Sequence, residues 1–172
     1  LNEDNLKSLY GLTQDVEKAI SNALYQKNKS ILKKLIEPLH PADQADMLER
    51  LTSNELNAFL ALFGKSLDPE VLVYLDHNVQ DKVFDLLGPK ALAKAIPELH
   101  SDDAVEILQE LEEKDRNVVI KQLPKADRIL VEEALSYPDS SAGRLMQREF
   151  LAFPGNWTVG QTIDHMRANP QD

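Results

Sequence analysis

The feature that most limits what this chain can fold into is its punctuation. Helix breakers and caps recur along it: Pro38 and Pro41, Thr52 with Glu55 in capping-box spacing, Gly64, Asp68-Pro69, Gly88-Pro89, Pro97, Ser101, Pro124 and Pro138. They predict helix starts near Pro41, Ser53, Pro69, Val79, Pro89, Asp102 and Lys125, mostly spaced by roughly 10 to 15 residues, which leaves about two to three turns apiece. Apolar residues recur at three- and four-residue spacing, as in Leu6–Leu9–Val16–Ile20–Leu24, Ala45–Leu48–Leu51 and Leu56–Leu60–Phe63, and strand-like alternation is absent before about Phe150. Helices this short are marginal alone and need neighbours to cover their apolar faces. Asp46–Leu51, Lys82–Leu87 and Glu106–Leu111 also share a charged–apolar–apolar–x–x–Leu grammar. The expected fold is all-α, a right-handed armadillo-like superhelix (α-solenoid) of short helices, with a Leu-rich helical bundle as the alternative.

Composition matters mainly through where the charge sits. The 172 residues carry 29 acids and 19 bases, a formal charge of −10. Asp68–Asp85 holds five acids against Lys82, and Ser101–Glu113 holds six with no base, so these two stretches carry the whole imbalance. Such a balance excludes unaided nucleic-acid binding and docking on an anionic membrane, both of which need clustered Lys and Arg. With no cysteine there is no disulfide framework and no thiolate metal site. No apolar run is long enough to span a bilayer. His40, His77, His100 and His165 are scattered without an HExxH pattern, and no phosphate loop or nucleophile elbow occurs, so the chain is not expected to be an enzyme.

The acidic run after Ser101 carries a more specific expectation. At about 100° per residue, with Asp102 as zero, Glu106, Gln109, Glu110 and Glu113 fall within roughly 80° of it, opposite Ala104, Ile107, Leu108 and Leu111. Ser101 reads as the N-cap, which lets Asp102 and Asp103 complement the helix dipole. Glu106, Glu110 and Glu113 run towards the negative end and gain nothing from it. Either this is a solvated face or it is one side of a site for a hard divalent cation, which needs a second acidic surface to complete it. The Asp68-Pro-Glu70 corner offers one more carboxylate.

Past Leu135, Ser136–Gly143 reads as a hinge or linker. Arg148–Phe153 reads as a strand, Pro154-Gly155 as a turn, and Thr158-x-x-Gln161 as the capping box of a last helix with Val159, Ile163 and Met166 on one face. One β–α unit cannot close a core. That, and a start at Leu1, predicts a piece of a longer chain ending just inside a second domain.

The run of short helices, Ser101-Asp-Asp-Ala-Val-Glu-Ile-Leu108, and above all Tyr137-Pro-Asp-Ser-Ser-Ala-Gly-Arg-Leu-Met146 resemble the cytosolic amino-terminal region of the MgtE magnesium transporters. Leu145-Met146 with Phe150–Phe153 and Thr158–Arg167 looks like the opening of the first CBS module. Arg144, Gln147 and Arg148 depart from the Gly and Thr-Pro common there. The resemblance implies a helical N domain over residues 1–136, a linker over 137–147 and a truncated CBS start over 148–172. It also implies a Mg²⁺-sensing regulatory region at the cytoplasmic face of a membrane, whose partners are the CBS and transmembrane domains of the same parent, itself a homodimer. Aligned on the family segment, Asp102, Glu106 (where Asp is expected) and Glu70 match residues of the Mg²⁺-bridged face. Motor-switch proteins share such helical patterns, so the second expectation is an acidic α-solenoid scaffold for a basic protein partner.

Overall fold

The computed structural model describes residues 12–169. Leu6 and Leu9 of the first apolar pattern lie outside the described residues. Eleven helices follow in order among them: α1 Gln14–Tyr25, α2 Lys29–Ile36, α3 Pro41–Arg50, α4 Ser53–Phe63, α5 Val71–Tyr74, α6 His77–Leu87, α7 Pro89–Ala95, α8 Ser101–Glu110, α9 Glu113–Gln122, α10 Lys125–Ser136 and α11 Val159–Ala168. Short 3₁₀ turns occupy Gly64–Ser66 and Ile96–Glu98.

The organising signal is tighter than the punctuation suggests. Leu39, Leu51, Phe63, Leu75, Leu87, Leu99, Leu111, Leu123 and Leu135 fall at intervals of twelve residues. Five of them, Leu51, Leu75, Leu99, Leu111 and Leu123, leave their helix in extended backbone, so in these units a helix is closed by a leucine that turns the chain. The three residues ahead of that leucine at i, i+3 and i+4 turn inward with it: Gln44–Met47–Leu48–Leu51, Leu56–Phe59–Leu60–Phe63, Ala104–Ile107–Leu108–Leu111. Stacking the units fuses these faces into one core running from Ile20 to Val131. Where Gln44 and Gln80 take the first inward place, each donates its amide at 3.0 Å to a carbonyl of the preceding turn, Leu39 or Leu72.

Expected starts at Pro41, Ser53, Pro89 and Lys125 are observed, and Thr52/Glu55 forms its capping box, with the Thr52 N–H donating to Glu55 Oε2 at 3.0 Å. The start at Glu113 has no Pro, Gly or hydroxyl to mark it, since Glu112 takes the N-cap place without a side-chain bond. Between α6 and α7 a single residue serves as both the end of one helix and the start of the next: Gly88, at φ +72°, a conformation that L side chains avoid.

Beyond α10 the Pro154–Trp157 turn closes at 2.9 Å, and the Thr158/Gln161 capping box starts α11. The strand expected over Arg148–Phe153 does not form, and no strand is present among the described residues. A lone extended segment has no neighbour to share ladder hydrogen bonds with, so it stays irregular. Val159, Ile163 and Met166 share a face of α11 and remain exposed. Among the described residues no helix is long and apolar enough to cross a membrane.

Candidate cation-binding face

The site is built around the first turns of α8, with the four-residue α5 packed beside it. Asp102 and Asp103 occupy the first turn of α8 and Glu106 the second, while Glu70 immediately precedes α5. The fold brings the carboxylates of Glu70 and α8 into electrostatic reach of one another. The Asp103 carboxyl is pushed above its ordinary range first by its own burial and then by Asp102; His100 opposes this, and Glu106 and Glu70 add to it. Across the same surface Glu70 accepts a 3.4 Å hydrogen bond from the Tyr74 hydroxyl and, by its charge, raises that phenol. None of these four acids pairs with a Lys or Arg among the described residues. Asp102 Oδ1 is closed off from solvent and has no hydrogen-bond partner.

Two expectations about α8 are corrected. Ser101 is not the N-cap: His100, in extended backbone, takes that place and Ser101 is the first helical residue. Glu113 is not on the stripe, because the helix ends at Glu110, Leu111 turns the chain, and Glu113 opens α9. Glu110 lies towards α6, 3.5 Å from His77 Nδ1. The stripe is therefore short, and Asp103, whose carboxyl feels Asp102, Glu106 and Glu70, is the acid that sequence reasoning left out of the ligand set.

Freed from capping its own helix, Ser101 binds a segment nearly fifty residues downstream. Its N–H and hydroxyl both donate to Glu149 Oε2, at 3.1 and 2.9 Å, and its hydroxyl oxygen accepts from the Arg148 N–H at 2.8 Å. Gln147 Nε2 lies 3.0 Å from His100 Nδ1. Burial pushes the Glu149 carboxyl up, but these donors outweigh it and hold the group below its ordinary range. The start of α8 is thus capped in trans by Glu149, a contact with no local sequence signature.

Among the described residues no three His, Asp or Glu side chains converge closely enough to hold a metal ion by themselves. The donor set is nevertheless chemically uniform. It is all oxygen, mutually repelling, and includes a sequestered carboxylate oxygen that nothing in the chain satisfies, which is the chemistry of Mg²⁺ or Ca²⁺ rather than of a soft metal. A cleft of about 950 Å³ opens on the other side of Glu70, lined by Lys65, Asp68, Pro69, Leu72, Lys90 and Lys94 among others.

Comparison with known proteins identifies the family. The family model of the MgtE intracellular N domain matches residues 39–140, more than half of the chain. This chain belongs to the MgtE family. That matched span runs from the first leucine of the twelve-residue ladder to just past α10, and it contains Glu70, Asp102, Asp103 and Glu106. Two solved structures superpose with a TM-score of 0.75 over 91% of the chain: the cytosolic domain of the Mg²⁺ channel MgtE in complex with ATP, at 26% identity, and the soluble part of a magnesium transporter, at 17% identity. The chain spans 64% and 62% of those two chains, respectively. No curated protein matches by sequence.

Proposed function

We propose that this chain is the Mg²⁺-sensing regulatory part of a membrane magnesium transporter or channel, on the cytoplasmic side. The observation that carries the reading is the crowding of Asp102, Asp103, Glu106 and Glu70, none of them paired with a Lys or Arg among the described residues. Asp102, Glu106 and Glu70 hold the ion, with Asp103 adding to the field. Glu106 is one methylene longer than the Asp of the family pattern and reaches further. A hard dication would screen carboxylates that otherwise repel and bridge them to a second acidic surface. That second surface belongs to CBS domains of the same parent, which begin in residues 148–172 after the right-handed helical superhelix. The parent is a homodimer whose contacts lie largely outside this chain.

The mechanism is a population shift. Mg²⁺ binds the compact arrangement better than the splayed one, so rising Mg²⁺ favours the compact, closed state by the difference in binding free energy. In the parent protein, D102N, E106Q and E70Q together shift Mg²⁺-dependent protection from protease to higher Mg²⁺. An unshifted dose–response curve sinks the proposal. If NaCl at matched ionic strength reproduces the Mg²⁺ effect, the acidic face is instead a salt-sensitive surface for a basic protein partner.

A further inference from the structure

The stretch that reads as a hinge, Ser136–Gly143, is anchored. Arg144, only 8% exposed, extends its guanidinium back under α10. There it donates to the Ala134 carbonyl at 3.2 Å, the Tyr137 carbonyl at 3.3 Å and Asp139 Oδ1 at 2.8 Å, and with the Gln109 amide turned to suit it also meets α8. A cation closing the carbonyl end of α10 is favoured by the helix dipole as well as by the bonds. Gly143 lies against the Tyr137 ring so closely that a Cβ there would stand 3.0 Å from it. The backbone turns three times here, Ser141 N–H to Pro138 O at 2.9 Å, Arg144 N–H to Ser141 O at 3.0 Å and Leu145 N–H to Ala142 O at 3.2 Å. Arg148 reaches Glu133 on α10 at 3.2 Å, and Glu149 caps α8. Residues 137–149 therefore strap the end of α10 to the start of α8.

After Glu149 the anchoring stops. Among the described residues the backbone from Phe150 to Trp157 makes only the local Phe150–Arg148 and Trp157–Pro154 bonds, and the Phe153 and Trp157 rings pack on His165 of α11. Leu145 and Phe150 are equally exposed, 72% and 70%, yet only Leu145 lies within the strap.

We infer that the pivot between the helical body and the α11 piece lies at Phe150–Trp157, and that residues 137–149 are a fixed strap of the body. This inference rests on the regulatory reading above only for its use: the rearrangement that Mg²⁺ drives turns at this pivot, and α8, carrying Asp102 and Asp103, moves as one body with Glu149.

Limited digestion of the chain with a broad-specificity protease, read by mass spectrometry, tests it. First cuts are expected between Phe150 and Trp157, with the Leu145–Met146 bond cut at least about tenfold more slowly despite its matched exposure, because cleavage follows the population of the opened strap. Glu149→Gln and, independently, Ser101→Ala should raise cleavage at Leu145 by roughly tenfold while leaving the cut at Phe150 unchanged. Equal initial rates at Leu145 and Phe150 in the unaltered chain overturn the inference, as does a Leu145 rate that neither substitution changes. The cleavage pattern needs no Mg²⁺, so a failure of Mg²⁺ to protect the parent would remove the sensing role and leave the pivot standing.

Discussion

Helices α3 and α8 start sixty residues apart and are the same helix in burial but not in finish. Both follow a Leu-His pair, both bury their fourth, fifth, seventh and eighth residues, and both expose the sixth and tenth. In α3 the lead histidine caps its own helix, His40 Nδ1 accepting from the Ala42 N–H at 3.2 Å. In α8 the corresponding His100 is turned to Gln147, and the cap comes from Glu149. The exposed places differ in charge as well: Ala42, Asp43, Asp46 and Arg50 in α3 stand where α8 has Asp102, Asp103, Glu106 and Glu110. Arg50 pairs with Glu17, whereas Glu110 meets only His77. The repeat thus fixes the inward residues and leaves the outward ones free to acquire a function. Ala to Asp and Arg to Glu add acid at two of these places, while Glu49 gives way to Gln109, so α8 gathers its carboxylates on one face with no base among them.

The largest effect tests the shared half of that comparison. Leu48→Ala and Leu108→Ala remove equivalent, fully buried side chains, and each should cost about 3 kcal/mol in urea unfolding. A difference between them of more than about 2 kcal/mol would show that the two burial patterns are not energetically equivalent. Next comes the cap in trans. The folded pKa of Glu149 is lowered, so its contribution is complete above the ordinary carboxylate value of about 4.3 and is lost as pH falls through the folded value. Hydrogen exchange at the Ser101 amide should therefore lose protection on acidification, and Glu149→Ala should abolish the pH response at this amide. His40→Ala should cost about 0.5–1 kcal/mol in thermal unfolding, while His100→Ala should cost clearly less, because Glu149 still caps α8. Smallest is a difference of sign. Asp103 has a raised folded pKa, so its ionised form destabilises the fold as pH rises past the unfolded value; D103N should add a few tenths of a kcal/mol at pH 7, about what an exposed like-charge contact costs. D43N, removing the lone acid from the first turn of α3, should lower stability by about 0.3 kcal/mol. Equal signs for the two would mean that the acidic face on α8 carries no repulsion.

Much of this was legible from local chemistry. Prolines at helix starts, the Thr52/Glu55 and Thr158/Gln161 boxes and the apolar spacing name most elements, because each is decided within one turn of chain. The break between α8 and α9 was not, since two glutamates after Leu111 carry no breaker, and so Glu113 seemed to extend the stripe. Glu70, Asp102 and Glu106 were chosen from charge pattern and resemblance; their nearness needed α5 beside α8, a tertiary fact. Glu149 and Arg144 were out of reach altogether: a carboxylate that caps a helix forty-eight residues earlier, and an arginine that closes one ten residues before it, leave no periodicity to detect.

The twelve-residue spacing of the leucines has a consequence for how such a chain can change. Leu51–Thr52, Leu111–Glu112 and Leu123–Pro124 are whole connectors, two residues long, so the polypeptide carries no slack at these three junctions. One inserted residue within a helix would turn its closing leucine by about 100° and shift every later unit against its neighbour. Drift in length is therefore penalised at these tight junctions, and there the domain can grow or shrink only by whole units, like a ruler that can be cut only at its marks.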